Sequence, residues 1–391
     1  MVAIRVQSRE DLYSIHEYFA SNPRMASLVR SLCMASPPGG EKHRCLLEVL
    51  PVYLVKRLPN LQRYSIGRWT YFTAHTGYDQ VSFHATALMH IKTYLHVEEL
   101  HLEALRFRTS VELARVLIAL PRLRRLQCRD LEVDNLTADT SRFRNKCNML
   151  SELTVTHDSF KKDDYIVRLI VQMSLATLCV LRCHLTVLTD QGGPVELSEL
   201  KHLHSLEVTA YDSVKDAFNH IVPVVATLTT NKFRHLTIVF HRRSDITSSD
   251  HVSHPLDDAI FALGIPSVVV SIPKSKHNNL ARYSKIFQKY FPRLHEGKLL
   301  QVQCSSGTPD WDVHLGHDTM MTAMAASPDS RYIATGSTDG TVIIWRGATG
   351  PQKMLLEMPR FAESKHVFSL HFSDTSEFLA GICAHNLLIW R

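Results

Sequence analysis

The chain has 391 residues, of which 45% are hydrophobic and 21% charged, with a formal net charge of +6 at pH 7. This composition excludes a disordered chain, and the length allows two or more domains with buried cores. The Lys and Arg residues are scattered along the sequence, so we do not expect nucleic acid among the partners.

The chain is expected to be intracellular, either cytoplasmic or nuclear. The first residues lack the apolar core of a signal peptide. The longest apolar run, Ile221–Leu228, is too short to span a bilayer. Several of the eight cysteines occupy apolar positions, which is typical of reduced, buried thiols.

The N-terminal residues predict a short helical and strand lead-in. Ser8 and Asp11 have the spacing of a capping box, and apolar residues recur at helical spacing from Leu12 to Phe19. Met25–Met34 is predicted to be a strand. A second helical stripe is predicted from Leu47 to Leu58.

A leucine-spaced pattern followed by an apolar–x–apolar strand core then repeats seven times between Leu58 and Val239. Most copies are separated by 25 to 30 residues, with one interval of 36. Such a period is typical of strand-plus-helix repeats, in which stacking buries the apolar face of each unit. The strand cores begin at Tyr64, Leu100, Leu126, Leu153, Leu181, Leu206 and Leu236.

Amphipathic segments between the strand cores predict outer helices. Examples are the stripes Leu113–Leu120, Ile166–Met173 and Val214–Val225. Strands alternating with helices indicate an α/β solenoid, a curved parallel sheet with helices outside. The residues between the buried strand positions would then face the concave side.

We expect this concave face to bind a protein partner, with Arg129 and Arg182 as anchors, because arginine is enriched among interface hot spots. The predicted contact residues are Ser65, His101, Glu103, Gln127, Arg129, Thr154, Thr156, Arg182, His184, Glu207 and Thr209. The densest basic cluster contains Arg122, Arg124, Arg125 and Arg129, which we interpret as a solvated repeat edge, with a phosphate or acidic-peptide contact as the alternative.

The predicted domains are residues 1–303, a linker at 304–310, and residues 311–391. His241–His254 is predicted to be a loop, followed by helices at Leu256–Leu263 and Tyr283–Leu294 and strands at Ser267–Ile272 and Leu299–Gln303. Short β runs separated by turn residues fill the last segment. They are Met321–Ser327, Tyr332–Ser337, Thr341–Arg346, Lys353–Met358, Val367–Phe372, Phe378–Ile382 and Asn386–Arg391.

Residues 1–303, with the copies LPNLQRYSI and LPRLRRLQC, resemble the leucine-rich-repeat region of large fungal F-box-type protein families. The resemblance implies a substrate-recognition subunit of a cullin-type ubiquitin ligase, recruited through an F-box and a Skp-type adaptor. The chain begins where that module should already have ended. Cys45–Leu58 has a leucine pattern similar to an F-box, for which a repeat-flanking helix is the alternative.

The segment LGHDTMMTAMAASPDSRYIATGSTDGTVIIWR, which begins at Leu315, resembles one WD repeat, and the rest of 315–391 a second, degenerate one. The resemblance implies an all-β segment of one or two propeller blades. It also implies a buried structural hydrogen-bond network between strands and turn. Its members would be His317, Thr335 or Ser337, Asp339 and Trp345.

No catalytic constellation is visible, so we predict a non-enzymatic scaffold without cofactor or metal. No glycine-rich phosphate loop is present, and Gly336–Gly340 has threonine where a hydrolase elbow needs serine. Cys179, Cys183 and His184 are ligand types without a partner cluster. The alternatives are the ubiquitin-ligase receptor and a hydrolase or sensor with an unrecognised site.

Overall fold

A computed structural model of the protein forms two compact units, Met1–Ser306 and Gly307–Arg391. The structure describes residues 2–6, 8–36, 53–54, 57–68, 79–81, 85–135, 141–156, 164–189, 195, 197–210, 214–228, 232–240, 255–273, 280–305, 321–329, 332–337, 341–346, 353–356, 367–383 and 386–390. The predicted loop His241–His254 and most of the segment Leu47–Leu58 lie outside these residues.

The first unit is organised around an eleven-stranded sheet in which every neighbouring pair described is parallel. In spatial order its strands are β1 (Val2–Val6), β2 (Val29–Ser36), β3 (Arg63–Arg68), β5 (Glu99–Glu103), β7 (Arg125–Arg129), β9 (Glu152–Thr156), β10 (Val180–His184), β11 (Ser205–Ala210), β12 (His235–Phe240), β13 (Ser267–Pro273) and β14 (Leu300–Ser305). A small satellite sheet is also parallel and contains β4 (Asp79–Val81), β6 (Leu105–Thr109) and β8 (Glu132–Asn135).

The strand-core residues of successive repeats lie directly opposite one another. Leu126 pairs with Leu100 and Leu153, and Leu181 pairs with Leu153 and Leu206. The same row runs from Tyr64 to Val268, and none of its members is more than 1% exposed. Burial of these leucines supplies the main driving force for stacking the repeats, at about 25 cal/mol per Å² of apolar surface.

Helices follow most strands and share one apolar core with the sheet. They are α1 (Arg9–Ser21), α2 (Pro23–Ala26), α3 (Ala85–Ile91), α4 (Ser110–Ile118), α5 (Asp164–Met173), α6 (Leu185–Thr189), α7 (Val214–Ala226), α8 (Pro255–Ala262), α9 (Leu280–Tyr290) and α10 (Pro292–Glu296), with a 3-10 turn at Ser141–Phe143. The capping box predicted for α1 is confirmed, because Ser8 and Asp11 each accept the other's backbone N–H.

Two element predictions need correction. Met25 and Ala26 belong to α2, and the strand begins only at Val29, because Pro23 occupies the favoured first position of a helix. The single helix expected from Tyr283 to Leu294 is divided at Phe291, where Pro292 starts α10. The buried carboxylate of Asp257 accepts the backbone N–H of Arg293 at 2.9 Å and of Leu294 at 3.2 Å, which holds α10 in place.

The satellite sheet was not predicted from the sequence. Ala104 and Asp130 have φ values of 51° and 48°, and each connects a main strand to a satellite strand. Their backbone N–H groups donate to Arg129 and Thr156 of the next main strands, at 2.9 and 3.0 Å. The left-handed backbone turns the chain out of the main sheet, a bend that is rare for a non-glycine residue such as Ala104.

The second unit contains two small antiparallel sheets. One is formed by β15 (Met321–Ala326), β16 (Tyr332–Ser337), β17 (Val342–Arg346) and β18 (Lys353–Leu356), and the other by β19 (Val367–Phe372), β20 (Leu379–Cys383) and β21 (Asn386–Trp390). They share one core, in which Ala334 and Val342 of the first sheet pack with Val367, Leu370 and Leu379 of the second. A Cβ on Gly336 would lie 2.5 Å from Cγ1 and 2.8 Å from Cβ of Val367, so β16 and β19 meet where no side chain fits.

The architecture is therefore α/β, with a mostly parallel sheet and helices, plus a small all-β C-terminal part. The parallel sheet and the antiparallel C-terminal strands agree with the fold class predicted from the sequence. The predicted linker stays a prediction, although Cys304 and Ser305 belong to β14. In the part of the chain that the structure describes, no helix has the length and apolarity needed to cross a membrane.

We predict that Leu153→Ala lowers the free energy of unfolding of the first unit by about 2–5 kcal/mol, because it opens a cavity within the leucine row. All α-helices of the described residues lie in this unit, so circular dichroism at 222 nm during urea titration follows its unfolding. Leu263→Ala is the control, since Leu263 is 42% exposed and should change stability by less than about 1 kcal/mol. Equal effects of the two substitutions would contradict the role assigned to the row.

We predict that Gly336→Ala destabilises the second unit by about 1–3 kcal/mol, because the added methyl group overpacks against Val367. Tryptophan fluorescence reports the transition, since three of the four tryptophans lie within Gly307–Arg391. Gly336→Ala combined with Val367→Ala should cost less than the sum of the two separate substitutions. Strict additivity would show that the two positions do not meet.

Candidate functional site

The candidate site is the face of the main sheet opposite the leucine row, which we call the ladder face. Side chains alternate across a strand, so residues two apart share this face. Strand pairing aligns them into three rows. The first is Arg63, Glu99, Arg125 and Glu152; the second is Ser65, His101, Gln127, Thr154, Arg182 and Glu207; the third is Gly67, Glu103, Arg129 and Thr156, with His184 and Thr209 on the neighbouring strands.

The structure brings the eleven predicted contact residues together in the second and third rows, but it leaves them unequally accessible. Thr154, His184 and Thr209 are only 6–7% exposed and offer little surface to a partner. Ser65, His101, Glu103, Gln127, Arg129, Thr156, Arg182 and Glu207 are half-buried. Any contact surface therefore centres on the long side chains, with the short ones beneath them.

The first row was missed by the sequence analysis and contains the most tightly bound charge of the ladder face. The Glu99 carboxylate is 8% exposed and lies 2.9 Å from the Arg63 guanidinium, 3.2 Å from that of Arg125, and 2.7 Å from His101 Nε2. Burial raises the pKa of Glu99, but the hydrogen bond and charge of His101, with those of Arg63, outweigh burial and hold the pKa at about 2. Glu99 thus links β3, β5 and β7 through one ionised carboxylate.

Arg129 and Arg182, the two residues predicted to anchor a partner, already form ion pairs within the ladder face. Arg129 lies 3.5 Å from the Glu103 carboxylate and 3.8 Å from that of Asp130. Arg182 lies between Glu152 and Glu207, at 3.6 and 3.9 Å. Burial raises the pKa of Glu207, and the charge of Arg182 opposes that shift. A partner would therefore meet paired arginines.

Charge on the ladder face alternates in sign from strand to strand. Across the described strands the order is Arg63 on β3, Glu99 and Glu103 on β5, Arg125 and Arg129 on β7, Glu152 on β9, Arg182 on β10 and Glu207 on β11. From β3 to β14, four arginines balance four glutamates, so this part of the face has polarity without net charge. Such a surface favours specific hydrogen bonding over electrostatic attraction of a polyanion.

Three polar atoms of the ladder face have unused hydrogen-bonding capacity. Gln127 Oε1, Thr156 Oγ1 and Arg63 Nε are buried and have no hydrogen-bond partner among the described residues. Buried polar groups are nearly always satisfied, by protein or by water, and leaving one unsatisfied costs about 1–3 kcal/mol. A bound partner could donate to the two oxygens and accept from Arg63 Nε. The first row lies two residues before the second row in each strand. Continuing the alternation by one such step toward the start of each strand would have identified it from the sequence.

The buried cysteines among the described residues are poor nucleophiles. Burial raises the pKa of the Cys147 thiol to about 12 and raises those of Cys128 and Cys183 further, which suppresses the nucleophilic thiolate. Cys183 lies in the apolar core. Among the residues for which positions are given, no group of three or more His, Cys, Asp or Glu side chains is placed to hold a metal ion.

The WD-type network is placed only in part. Thr335 is fully buried, and its hydroxyl donates to the Ile343 carbonyl at 3.4 Å. His317 and Asp339 lie outside the described residues, as do the side chains of Ser337 and Trp345. The network remains a prediction, with Thr335 the hydroxyl whose position is known.

Comparison with known proteins gives matches to parts of the chain. Residues 312–346 match the WD domain, G-beta repeat family. The chain is also similar to ribosome biogenesis protein ERB1 of Scheffersomyces stipitis, with 25% identity over 115 residues, or 29% of this chain. The matched stretch spans 14% of the length of that protein. The first WD repeat of the resemblance stated from the sequence is thereby confirmed, and the second, degenerate one stays a prediction.

We predict that Glu99→Gln lowers the free energy of unfolding by about 3 kcal/mol at pH 7, because the carboxylate is ionised far below its usual pKa in the folded state. Because folding lowers the pKa of Glu99, its carboxylate stabilises the folded state at pH values above 4.5, the pKa in the unfolded chain. That contribution is lost as the pH falls toward about 2, the pKa in the folded state. The difference between wild type and variant should therefore shrink to about 1 kcal/mol at pH 3.

Urea titrations at several pH values between about 3 and 7 measure this difference. Glu152→Gln is the matched control, since its 36% exposed carboxylate lies 3.6 Å from Arg182 and should contribute less than about 1 kcal/mol. A Glu99→Gln effect that does not change with pH would refute the electrostatic origin.

Proposed function

We propose that this chain is a non-enzymatic protein-interaction scaffold that binds a protein partner on the ladder face. The observation that carries the proposal is the in-register stack of strands, which buries one face under helices and leaves a continuous polar ladder on the other. Repeat architectures of this kind provide extended binding surfaces. The WD-type segment supports the same role, since propeller blades commonly serve interaction.

We further propose that the first unit is a leucine-rich-repeat-like solenoid with the ladder on its concave side. Its support is the repeat period, the parallel pairing, and the strand-plus-helix order of the units. The described half-buried arginines and glutamates would then form the central contact area. Gln127 and Thr156, with their unsatisfied oxygens, mark where partner donors enter.

The ionisation states of Glu99 and the Cys147 thiol suit a scaffold better than a hydrolase or sensor that would use them. A general base needs a pKa near the working pH, whereas the pKa of Glu99 is about 2 and that of the Cys147 thiol about 12. Both groups are in the wrong state to exchange protons at neutral pH. The buried positions serve packing and strand linkage instead.

A narrower form of the proposal is the substrate-recognition subunit of a cullin-type ubiquitin ligase. Its support is the resemblance of the repeats to F-box-type families. Most of Cys45–Leu58, the segment with an F-box-like leucine pattern, lies outside the described residues. Co-purification with a Skp-type adaptor would distinguish this form from a general scaffold.

We predict that Arg129→Ala combined with Arg182→Ala sharply reduces partner capture while changing stability by about 1 kcal/mol or less. The side chains are 22% and 39% exposed, and ion pairs of this kind contribute little to folding. Affinity capture of partners by the full chain, quantified by mass spectrometry, measures the effect.

Two control variants separate the ladder face from other surfaces. Lys285→Ala with Lys289→Ala removes two exposed charges of α9 and should leave capture unchanged. Leu387→Ser with Ile389→Ser alters side chains that are 64% and 65% exposed on β21. Capture that survives in the ladder variant but is lost in the β21 variant would assign binding to the WD-type segment.

A further inference from the structure

The turns that enter the parallel strands of the main sheet carry most of the excess positive charge. We define the turn edge as the described residues between each helix or 3-10 turn and the next main strand, from 57–62 before β3 to 297–299 before β14. Among these residues, ten are Lys or Arg and only two, Glu98 and Glu199, are acidic. The ten are Arg57, Lys92, Arg122, Arg124, Arg144, Lys146, Lys201, Lys232, Arg234 and Lys298.

This concentration does not reflect a basic composition throughout. The described α-helices contain nine basic and nine acidic residues. From β3 to β14, the ladder face balances four arginines against four glutamates. A large share of the chain's excess of positive charge therefore lies along one edge of one sheet.

The sheet continues into these turns and fixes their spacing. The backbone N–H of Arg124 donates to Glu98 O at 2.8 Å, and Ser151 N donates to Arg124 O at 2.9 Å. The same hydrogen bond recurs in the next turns: Cys179 N donates to Ser151 O, and His204 N donates to Cys179 O. Arg234 N then donates to His204 O at 2.9 Å. Neighbouring turns are thus held at the strand spacing of about 4.8 Å.

The edge cations are accessible, and most have no acidic partner among the residues that the structure describes. Arg144 pairs with Glu199 at 3.0 Å, and Lys232 Nζ lies 3.2 Å from His202 Nδ1. The other eight edge cations form no ion pair among the described residues, and all of them except Arg57 are exposed. These eight are Arg57, Lys92, Arg122, Arg124, Lys146, Lys201, Arg234 and Lys298. By contrast, Arg63, Arg125, Arg129 and Arg182 of the ladder face are all paired.

We propose that the turn edge binds the phosphate backbone of a nucleic acid. From β3 to β14 the edge crosses eight strand intervals, or about 38 Å, and Arg124 and Arg234 lie four intervals, or about 19 Å, apart. An extended row of unpaired cations matches a linear array of phosphates. Binding of this kind is independent of sequence and is driven by release of counterions.

The composition of the edge favours nucleic acid over a membrane surface. Membrane docking joins basic residues to a contiguous apolar or aromatic surface that enters the bilayer. The large apolar side chains exposed on the edge, Leu95, Met149 and Leu263, lie on three separate turns, before β5, β9 and β13. Among the described edge residues, ten cations thus outnumber three exposed large apolar side chains.

The test measures binding of the full chain to a fluorescent oligouridylate long enough to span the edge, by anisotropy between about 50 and 200 mM salt. The edge variant replaces Arg122, Arg124, Lys201 and Arg234 by Gln. Wild type should bind with a linear dependence of log K on log salt concentration. The variant should bind at least tenfold more weakly, with a slope shallower by about 3, because each single-strand phosphate contact contributes about 0.7.

The charge-matched control replaces Arg9, Arg24, Lys285 and Lys289 by Gln, all of which are exposed on helices. It should retain wild-type affinity and slope. If both variants lost the same affinity for the oligouridylate, net charge alone would explain the loss. That result would overturn the assignment of binding to the turn edge. Unfolding followed at 222 nm confirms that both variants fold.

Polyglutamate and vesicles containing phosphatidylserine, measured against the same variants, test the other polyanions. Wild type should bind the oligouridylate more tightly than either. No binding of wild type to oligouridylate or to duplex DNA overturns the proposal. Edge-dependent binding to vesicles or polyglutamate alone would assign the edge to a membrane or to an acidic protein instead.

Discussion

The in-register leucine row is the constraint on which the first unit depends. Each repeat contributes one residue to the row between Tyr64 and Val268, and no repeat can bury that residue without its neighbours. A slip of one residue would exchange the buried and the polar faces. The register that buries Leu126 therefore also aligns Gln127 with His101 and Thr154, and Arg124 with Glu98 and Ser151.

The same register produces two polar surfaces of opposite electrostatic character. On the ladder face, cations and anions of adjacent strands lie within ion-pair distance, as Glu99 does with Arg63 and Arg125. On the turn edge, the described cations mostly face solvent. Arg125 and Arg124 are adjacent in sequence, yet one is paired within the sheet and the other is exposed on the edge. We propose a protein partner for the first surface and a nucleic acid for the second.

The second unit obeys a different constraint, that of close approach between two antiparallel sheets. Gly336 and the small side chain of Ala334 allow β16 to contact Val367 of the other sheet. Ile382, Leu387 and Ile389 of that second sheet are 43–65% exposed. The second unit therefore buries the face between its two sheets and leaves apolar side chains of the second sheet in contact with solvent.

The sequence by itself determined the repeat period, the buried strand positions, most helices and the WD-type strands, because each depends on the spacing of residues close together in the chain. It also predicted two of the three ladder rows through simple alternation. Only the tertiary structure decided that Glu99 lies between arginines 36 residues before it and 26 after it. The cluster of Arg122, Arg124, Arg125 and Arg129 was likewise divided between two surfaces, and cations scattered from Arg57 to Lys298 were collected on one edge. Such pairings depend on which strands become neighbours, and no local pattern records the charge of a side chain in the next repeat.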